Sequence, residues 1–117
     1  MNRKPISPEL HGIIDYAFAT TLFLAPSLLG LNKKAKCEYY TLGAAAFGYS
    51  ALTDYPMGLK PVISYNTHRM LDYATITTFA ATTACKVINK EKRTLVFHLS
   101  MMALAAVTVM LTDWNKD

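Results

Sequence analysis

An internal duplication constrains this chain more than any other feature of its sequence. Residues 4–16 contain Lys-Pro, then a serine, then the motif His-x3-Asp-Tyr, and residues 60–73 contain the same residues in the same order. A second motif, Thr-Asp followed by an aromatic residue, occurs at 53–55 and again at 112–114. Two motifs that recur in one order, at offsets of 56 to 59 residues, are much less expected by chance than one. The sequence therefore predicts two repeats.

Long stretches without a charged residue separate the motifs. Four such stretches occur, of 17, 15, 13 and 19 residues: 16–32, 39–53, 73–85 and 94–112. Ala and Leu dominate much of them, and they are too long for strands, so we expect helices. The prediction is one all-α domain of 117 residues built of two-helix hairpins. Repeat one covers 4–59 and repeat two covers 60–117.

Capping residues predict where some of these helices begin. Ser7 and Pro8 are typical of an N-cap followed by the first helical residue. Asn66 and Thr67 can cap the third helix in the same way. Pro26 falls late in the first helix, a position that membrane helices tolerate.

The fourth stretch decides between a membrane and a water-soluble interpretation. Its interior at 94–112 has only His98, Ser100 and Thr108 as polar side chains, so it is apolar nearly all round. A bundle of 117 residues is too small to bury one helix on every side while covering three others, and 52% of the residues are hydrophobic against 17% charged. We therefore expect a four-helix transmembrane bundle in a lipid bilayer, with a soluble four-helix bundle that binds a ligand as the alternative.

The distribution of Lys and Arg predicts an orientation. Seven cations lie in or beside the first and third connections: Lys33, Lys34, Lys36, Lys86, Lys90, Lys92 and Arg93. Five belong to the opposite side: Arg3, Lys4, Lys60, Arg69 and Lys116. Because cytoplasmic loops are richer in Lys and Arg, this bias predicts a multi-pass protein of the bacterial inner membrane with both termini outside the cytoplasm.

The repeated motifs place ionisable residues together. Each hairpin crosses the membrane twice, so the two repeats run parallel and their motifs meet at one end. Six residues are predicted to gather at this extracytoplasmic end: His11, Asp15, Asp54, His68, Asp72 and Asp113. The His and Asp of each His-x3-Asp motif share one helix face, because residues four apart are neighbours there.

Two interpretations of this cluster stay open. Each Asp could accept a hydrogen bond from a His, a Tyr or a helix N-terminus of the other hairpin, and so hold the repeats together. Alternatively, the imidazole nitrogens and carboxylate oxygens could bind a divalent cation, since these ligand types suit a borderline metal ion. No HExxH or Glu-x-x-His motif accompanies them.

A third interpretation is proton or metal handling by a membrane carrier. Four short helices leave little room for a path through one chain, so such a carrier requires a homo-oligomer. Haem is disfavoured because the only paired histidines sit very near helix starts. Enzyme motifs such as GxSxG and the phosphate loop are missing, and no basic helix face favours nucleic acid. The sequence thus gives little support to an enzyme and points to no catalytic residue.

One histidine and two cysteines lie outside the predicted cluster. His98 lies about one turn into the fourth helix, away from the motifs, and is expected to hydrogen-bond to a neighbouring helix. Cys37 and Cys85 do not form a disulfide framework or a zinc motif, so we expect two unpaired thiols.

The end of the first helix, residues 22–30, resembles the SPW-repeat family of small bacterial membrane proteins. That family has two helices per repeat and a Ser-Pro-Trp signature near the end of the first. Here Ala25-Pro26-Ser27 stands where Ser-Pro-Trp would, and the second repeat has Thr82-Thr83-Ala84-Cys85 without a proline. The resemblance covers about half of the chain. It implies an integral membrane protein of unassigned biochemical function and adds nothing on mechanism.

Overall fold

Five helices account for most of residues 4–115, the part of the chain that the computed structural model describes. They are α1 (Pro8–Leu28), α2 (Lys33–Ala51), α3 (Tyr65–Thr82), α4 (Lys86–Asn89) and α5 (Lys92–Leu111). Within these residues there is no strand, only two isolated β-bridges. The predicted all-α class is confirmed. Arg3 and Lys116, which entered the predicted charge bias, lie outside the described residues.

The first and third helices begin at equivalent serines. Ser7 caps α1 by accepting a hydrogen bond from Leu10 N at 3.1 Å, and Pro8 is the first helical residue, as predicted. Ser64 caps α3 by accepting from Thr67 N at 3.0 Å. The predicted cap at Asn66-Thr67 is therefore wrong. Ser64 has the extended backbone of an N-cap, which brings its hydroxyl to the free N–H groups of the first turn.

A tight turn joins α1 to α2. Pro26 lies in the last turn of α1, and Gly30 follows with a φ of 65°, in the left-handed region that favours glycine. Asn32 then caps α2 by accepting from Ala35 N at 2.9 Å. These two caps set the two helices of the first hairpin side by side.

Packing within each hairpin is closer than packing between hairpins. α1 packs along α2, and α3 packs along α5, while α1–α5 and α2–α3 contacts join the two halves. A Cβ added to Gly43 would lie 3.1 Å from Leu22 Cβ, so the missing side chain lets α1 and α2 approach. The core lies between the four long helices, with these larger side chains: Phe18, Leu22, Tyr39, Phe79, Ile88, Phe97 and Met101.

The third connection is more ordered than the sequence indicates. Residues 86–93 are predicted as a basic loop between helices, but Lys86–Asn89 form the short helix α4, and α5 starts at Lys92. Ile88 is fully buried and anchors α4 to the core. One buried side chain in an otherwise polar segment is too weak a pattern to predict this turn of helix.

Two short backbone bridges tie each repeat to the other. Ile6, before α1, pairs with Thr112, after α5, and Ile63, before α3, pairs with Thr53, after α2. In both bridges the isoleucine donates to the residue before the threonine, at 3.1 and 2.9 Å. In both it also accepts from the aspartate after the threonine, at 2.7 and 2.8 Å. The two Thr-Asp-aromatic motifs thus occupy equivalent positions.

Apolar length distinguishes α5 from the other described helices. It is 20 residues long, and its most apolar stretch of 18 residues has a mean hydropathy of 2.0, so it is long and apolar enough to cross a membrane. Of that stretch, 33% is buried inside the fold. The remaining described helices do not meet the same criterion. The prediction of four spans therefore stays a prediction.

Candidate metal centre

Four of the six predicted site residues meet between α1 and α3. His11 and Asp15 lie one turn apart near the start of α1, and His68 and Asp72 lie one turn apart near the start of α3. The equivalent serine caps place both pairs at the same depth along their helices. Both histidines are fully buried, and the side chains of Asp15 and Asp72 are 13% and 9% exposed.

The four side chains form a ring in which nitrogen and oxygen atoms alternate. His11 Nε2 lies 3.1 Å from Asp15 Oδ2 and 3.0 Å from Asp72 Oδ2. His68 Nε2 lies 2.8 Å from Asp15 Oδ2 and 3.3 Å from Asp72 Oδ2. Each histidine therefore contacts the aspartate of its own helix and that of the other repeat. All four ligand atoms lie within 4.8 Å of one another.

Only one of these four contacts has the direction of a hydrogen bond. It joins His11 Nε2 to Asp72 Oδ2. His68 Nε2 and Asp15 Oδ2 are buried and have no hydrogen-bond partner among the described residues, although they lie only 2.8 Å apart. Burying a polar atom without a partner is costly, so these two atoms require another explanation.

Two threonine hydroxyls hold the far side of each imidazole. Thr112 Oγ1 lies 2.7 Å from His11 Nδ1, and Thr53 Oγ1 lies 2.8 Å from His68 Nδ1. Each threonine hydroxyl donates a hydrogen bond to the carbonyl oxygen four residues earlier: Thr112 to Thr108, and Thr53 to Tyr49. Each hydroxyl oxygen must therefore accept from the histidine, so Nδ1 carries a hydrogen and Nε2 faces the ring.

Tyr49 fixes the orientation of one carboxylate. Its hydroxyl donates to Asp72 Oδ1 at 2.7 Å, which leaves Asp72 Oδ2 facing both histidines. Tyr49 belongs to α2, so the hydrogen bond also joins the two repeats. A ligand whose second oxygen is already bonded loses little further freedom when it binds an ion.

Aromatic rings cover the outer side of the cluster. Trp114 lies 4.9 Å from the His11 ring and 4.9 Å from the Tyr65 ring, measured between centroids. Tyr55 lies 5.3 Å from the His68 ring. These rings exclude water from one side of the four ligand atoms, which strengthens electrostatic interactions among them.

The carboxylates dominate the electrostatics of the cluster. Burial alone would lower the pKa of His11 and His68, but the nearby carboxylates of Asp15 and Asp72 outweigh burial and raise the pKa of both rings above the usual value. Burial likewise opposes ionisation of Asp72, yet the two histidines lower the pKa of that carboxyl. Negative charge at the centre therefore attracts protons or another cation.

The remaining two predicted site residues do not join the ring. Asp54 is exposed and Asp113 is half-buried, and the backbone N–H of each donates to an isoleucine in the bridges described above. The group of four that could hold a metal ion contains neither of them. The Thr-Asp-aromatic motif reaches the centre through its threonine and its aromatic residue instead.

Thr53, Thr112 and Tyr49 contact the ligands but were not predicted. The two threonines could have been found, because they are the first letters of the repeated Thr-Asp-aromatic motif. Tyr49 has no counterpart at the equivalent place in the second repeat, where Thr108 stands, so no repeat signal marks it.

His98 has a complete set of protein partners, as predicted. Its Nε2 donates to the backbone oxygen of Phe79 at 2.7 Å, and its Nδ1 lies 2.7 Å from the Tyr39 hydroxyl. It therefore joins α5 to α2 and α3. A buried histidine that is bonded at both nitrogens has no lone pair left for an ion.

No protein-family model, curated protein or solved structure matches this chain. The resemblance to the SPW-repeat family stays a prediction.

Proposed function

We propose that this chain is a small integral membrane protein whose two repeats together bind one divalent transition-metal ion. The ligands are His11 and Asp15 from the first repeat and His68 and Asp72 from the second. The observation that carries the proposal is the alternating ring of two Nε2 and two Oδ2 atoms, in which two buried atoms have no hydrogen-bond partner.

The fixed tautomer supports an ion at the centre. With hydrogen on Nδ1, each neutral histidine presents the Nε2 lone pair to two carboxylates, which is repulsive unless a cation lies between them. Two doubly protonated rings would also balance the charge. Protons would favour contacts along the N–H direction, however, and three of the four contacts are off that direction. An ion between the four atoms needs no such alignment.

The dimensions of the ring fit a first-row metal ion. Zinc binds nitrogen and oxygen ligands at about 2.0–2.2 Å, so neighbouring ligand atoms at angles of about 90–110° lie about 2.8–3.6 Å apart, whether the ion has four or five ligands. The four His–Asp contacts measure 2.8 to 3.3 Å. Two imidazoles favour zinc or a similar borderline ion over calcium and magnesium, which take oxygen ligands. A divalent ion with two carboxylates gives a neutral centre.

The surface between the two charged ends supports a membrane location. Exposed apolar side chains follow α1 and α5 across this region, among them Leu24 at 59%, Val107 at 51% and Met110 at 68% exposure. No charged residue lies in the described residues 16–32, 39–53, 73–85 and 94–112. At about 1.5 Å per residue the shortest of these would cross the bilayer core only with help from its polar flanks.

Both histidines are fully buried, which favours a resident ion over a transported one. The alternative of an oligomeric carrier needs an opening to each side of the membrane and is less well supported. Because the four ligands come from both repeats, the ion also holds the hairpins together.

Metal content after purification in detergent tests the proposal. The wild-type protein, extracted from the membrane fraction of cells grown with zinc, is expected to contain about one metal ion per chain. His68→Gln and Asp15→Asn, each of which removes one ligand, should lower that content strongly. His98→Gln is the matched control, since it alters a buried histidine outside the centre. Equal metal content in the wild type and both ligand variants would contradict the metal centre, and recovery without detergent would contradict the membrane location.

A further inference from the structure

A cavity of about 20 Å³ adjoins the ligand atoms, and none of the covering rings of Tyr55, Tyr65 and Trp114 lines it. Polar groups from three ligands and three other side chains line it: His11, Asp15, Asp72, Tyr49, Thr75 and Thr108. The rest of its wall is apolar and includes Phe18 and Val109. Its volume is enough for about one water molecule, which needs roughly 10–15 Å³ on this measure.

Each hydroxyl group that lines this cavity already donates its hydrogen bond to another acceptor. Tyr49 donates to Asp72 Oδ1 at 2.7 Å, and Thr75 donates to the backbone oxygen of Leu71 at 3.0 Å. Thr108 donates to the backbone oxygen of Leu104. Each hydroxyl therefore offers only lone pairs to the cavity.

An occupant must consequently supply hydrogens to these oxygens. The hydroxyls of Tyr49 and Thr75 lie 3.2 Å apart, close enough for one small molecule to reach both. Water can donate two hydrogens to them and still keep an oxygen lone pair, which the metal ion next to the cavity can accept. A volume of about 20 Å³ has room for little more than this one molecule.

We infer that the metal ion carries one water molecule in this cavity, bound through its oxygen and hydrogen-bonded to Tyr49 and Thr75. This inference rests on the metal centre proposed above. It makes the ion five-coordinate, with four protein ligands and one exchangeable position. Structural zinc sites are closed, whereas sites with an exchangeable water are those that act on small molecules. The centre is then able to take a ligand of water size in place of that water.

Cobalt-loaded protein in oxygen-17-labelled water tests this inference. Only water exchanges its oxygen with the label, so the carboxylate, tyrosine and threonine oxygens stay silent. The wild type, loaded with one Co²⁺ per chain, is expected to show broadening of the cobalt electron-paramagnetic-resonance signal in labelled water. Ala105→Val, which adds two methyl groups to a residue of the cavity wall, is expected to bind Co²⁺ without the broadening. Ala106→Val is the matched control outside the wall and should keep it.

The outcomes separate the two proposals. A wild type that binds one Co²⁺ and shows no broadening overturns the bound water and leaves the metal centre standing. A wild type that does not bind Co²⁺ overturns both. Broadening that persists in Ala105→Val places the water outside this cavity and overturns the inference as well. If Ala105→Val does not accumulate, Thr75→Val, which removes one acceptor at nearly constant volume, should weaken the broadening, and an unchanged signal contradicts the inference.

Discussion

At the scale of single residues, two threonine hydroxyls determine which nitrogen of each histidine faces the centre. Thr53 and Thr112 both lie just beyond a helix C-terminus, and each contacts a histidine of the other repeat. Neither threonine can donate a hydrogen bond to the imidazole, because its hydroxyl hydrogen is already bonded to a backbone oxygen of its own helix. The histidine of each repeat is therefore positioned by the other repeat.

Replacing either threonine by valine should weaken metal binding, although it changes none of the four proposed ligand residues. Thr53→Val or Thr112→Val leaves a buried Nδ1–H without an acceptor and the imidazole free to turn. Loss of such a supporting contact typically lowers metal affinity about 10–100-fold. Zinc titration of the metal-free protein against a competing chelator measures this effect.

Thr41→Val is the matched control for these variants. Thr41 also donates to the carbonyl oxygen four residues earlier, in Cys37, but it is exposed and distant from the centre. We expect its zinc affinity to equal that of the wild type. An unchanged affinity in both Thr53→Val and Thr112→Val would show that the threonines do not position the ligands.

The meeting of the four clustered side chains could be predicted because sequence spacing alone determines which helical residues share a face. His11 and Asp15, and likewise His68 and Asp72, are four residues apart and recur in the duplication. Asp54 and Asp113 recur as well, yet their side chains lie outside the ring. Where a side chain points after a helix ends depends on tertiary bridges, and periodicity carries no information on these.

At the scale of elements, the start of α1 packs unusually closely against the loop that follows α2. A Cβ added to Gly12 would lie 2.4 Å from Met57 Cβ, and Tyr16 donates to the backbone oxygen of Met57 at 2.9 Å. The loop is thus held against the helix turn that carries His11. Its position depends on a residue without a side chain.

Gly12→Ala is expected to destabilise the protein by about 1–3 kcal/mol, because the added methyl group overpacks this contact. Gly48→Ala is the control, since nothing lies within 4 Å of a Cβ added to Gly48 in the last turn of α2. Alanine favours a helix interior by up to about 1 kcal/mol over glycine, so Gly48→Ala should be neutral or stabilising. Chemical unfolding in detergent measures both, and a stable Gly12→Ala would contradict the close approach.

The hydrogen bond between His98 and Tyr39 is expected to stabilise the packing of α5 against α2. Tyr39→Phe removes the hydroxyl that lies 2.7 Å from His98 Nδ1 and leaves that buried atom without a partner. We expect a loss of about 1–3 kcal/mol in the free energy of unfolding. Metal content should not change, because His98 is outside the centre.

Tyr40→Phe is the companion variant on the same helix. The Tyr40 hydroxyl contacts Ser27 at an exposed position, so its removal should leave stability within about 0.5 kcal/mol of the wild type. Equal stability of the Tyr39 and Tyr40 variants would show that His98 does not join the helices in the way described.

At the scale of the whole molecule, charge divides between the two ends of the helices. Lys33, Lys34, Lys92 and Arg93 belong to one end, and the His–Asp cluster belongs to the other. Cys37 and Cys85 are free, as predicted; both are exposed, and both flank the basic connections. If the basic end faces the cytoplasm, both thiols face it too.

Labelling of intact cells with a membrane-impermeant maleimide tests this orientation. The native cysteines should react only after the cells are opened. A cysteine introduced by Asn66→Cys, at an exposed residue of the opposite end, should react in intact cells when the native cysteines are replaced by serine. Labelling of Cys37 in intact cells would contradict the predicted orientation.

Much of the overall arrangement could be predicted because the duplication implies it. Two parallel hairpins place His11 and His68 at the same end of the helices, and in the structure their ring centroids lie 5.2 Å apart. Helix α4 and the Ile6–Thr112 bridge could not be predicted, since each depends on one buried side chain or one pair of backbone groups. Contacts between the repeats form only when the chain is folded, and they are also the ones that orient the ligands.

Diffraction at the absorption edge of the metal is the decisive test of one ion shared by both repeats. Crystals of the zinc-loaded protein, measured on both sides of the zinc edge, should show one anomalous peak between His11 Nε2, His68 Nε2, Asp15 Oδ2 and Asp72 Oδ2, at about 2.0–2.2 Å from each. Zinc-loaded crystals with no peak among these atoms, and with both histidines hydrogen-bonded directly to the carboxylates, would contradict it.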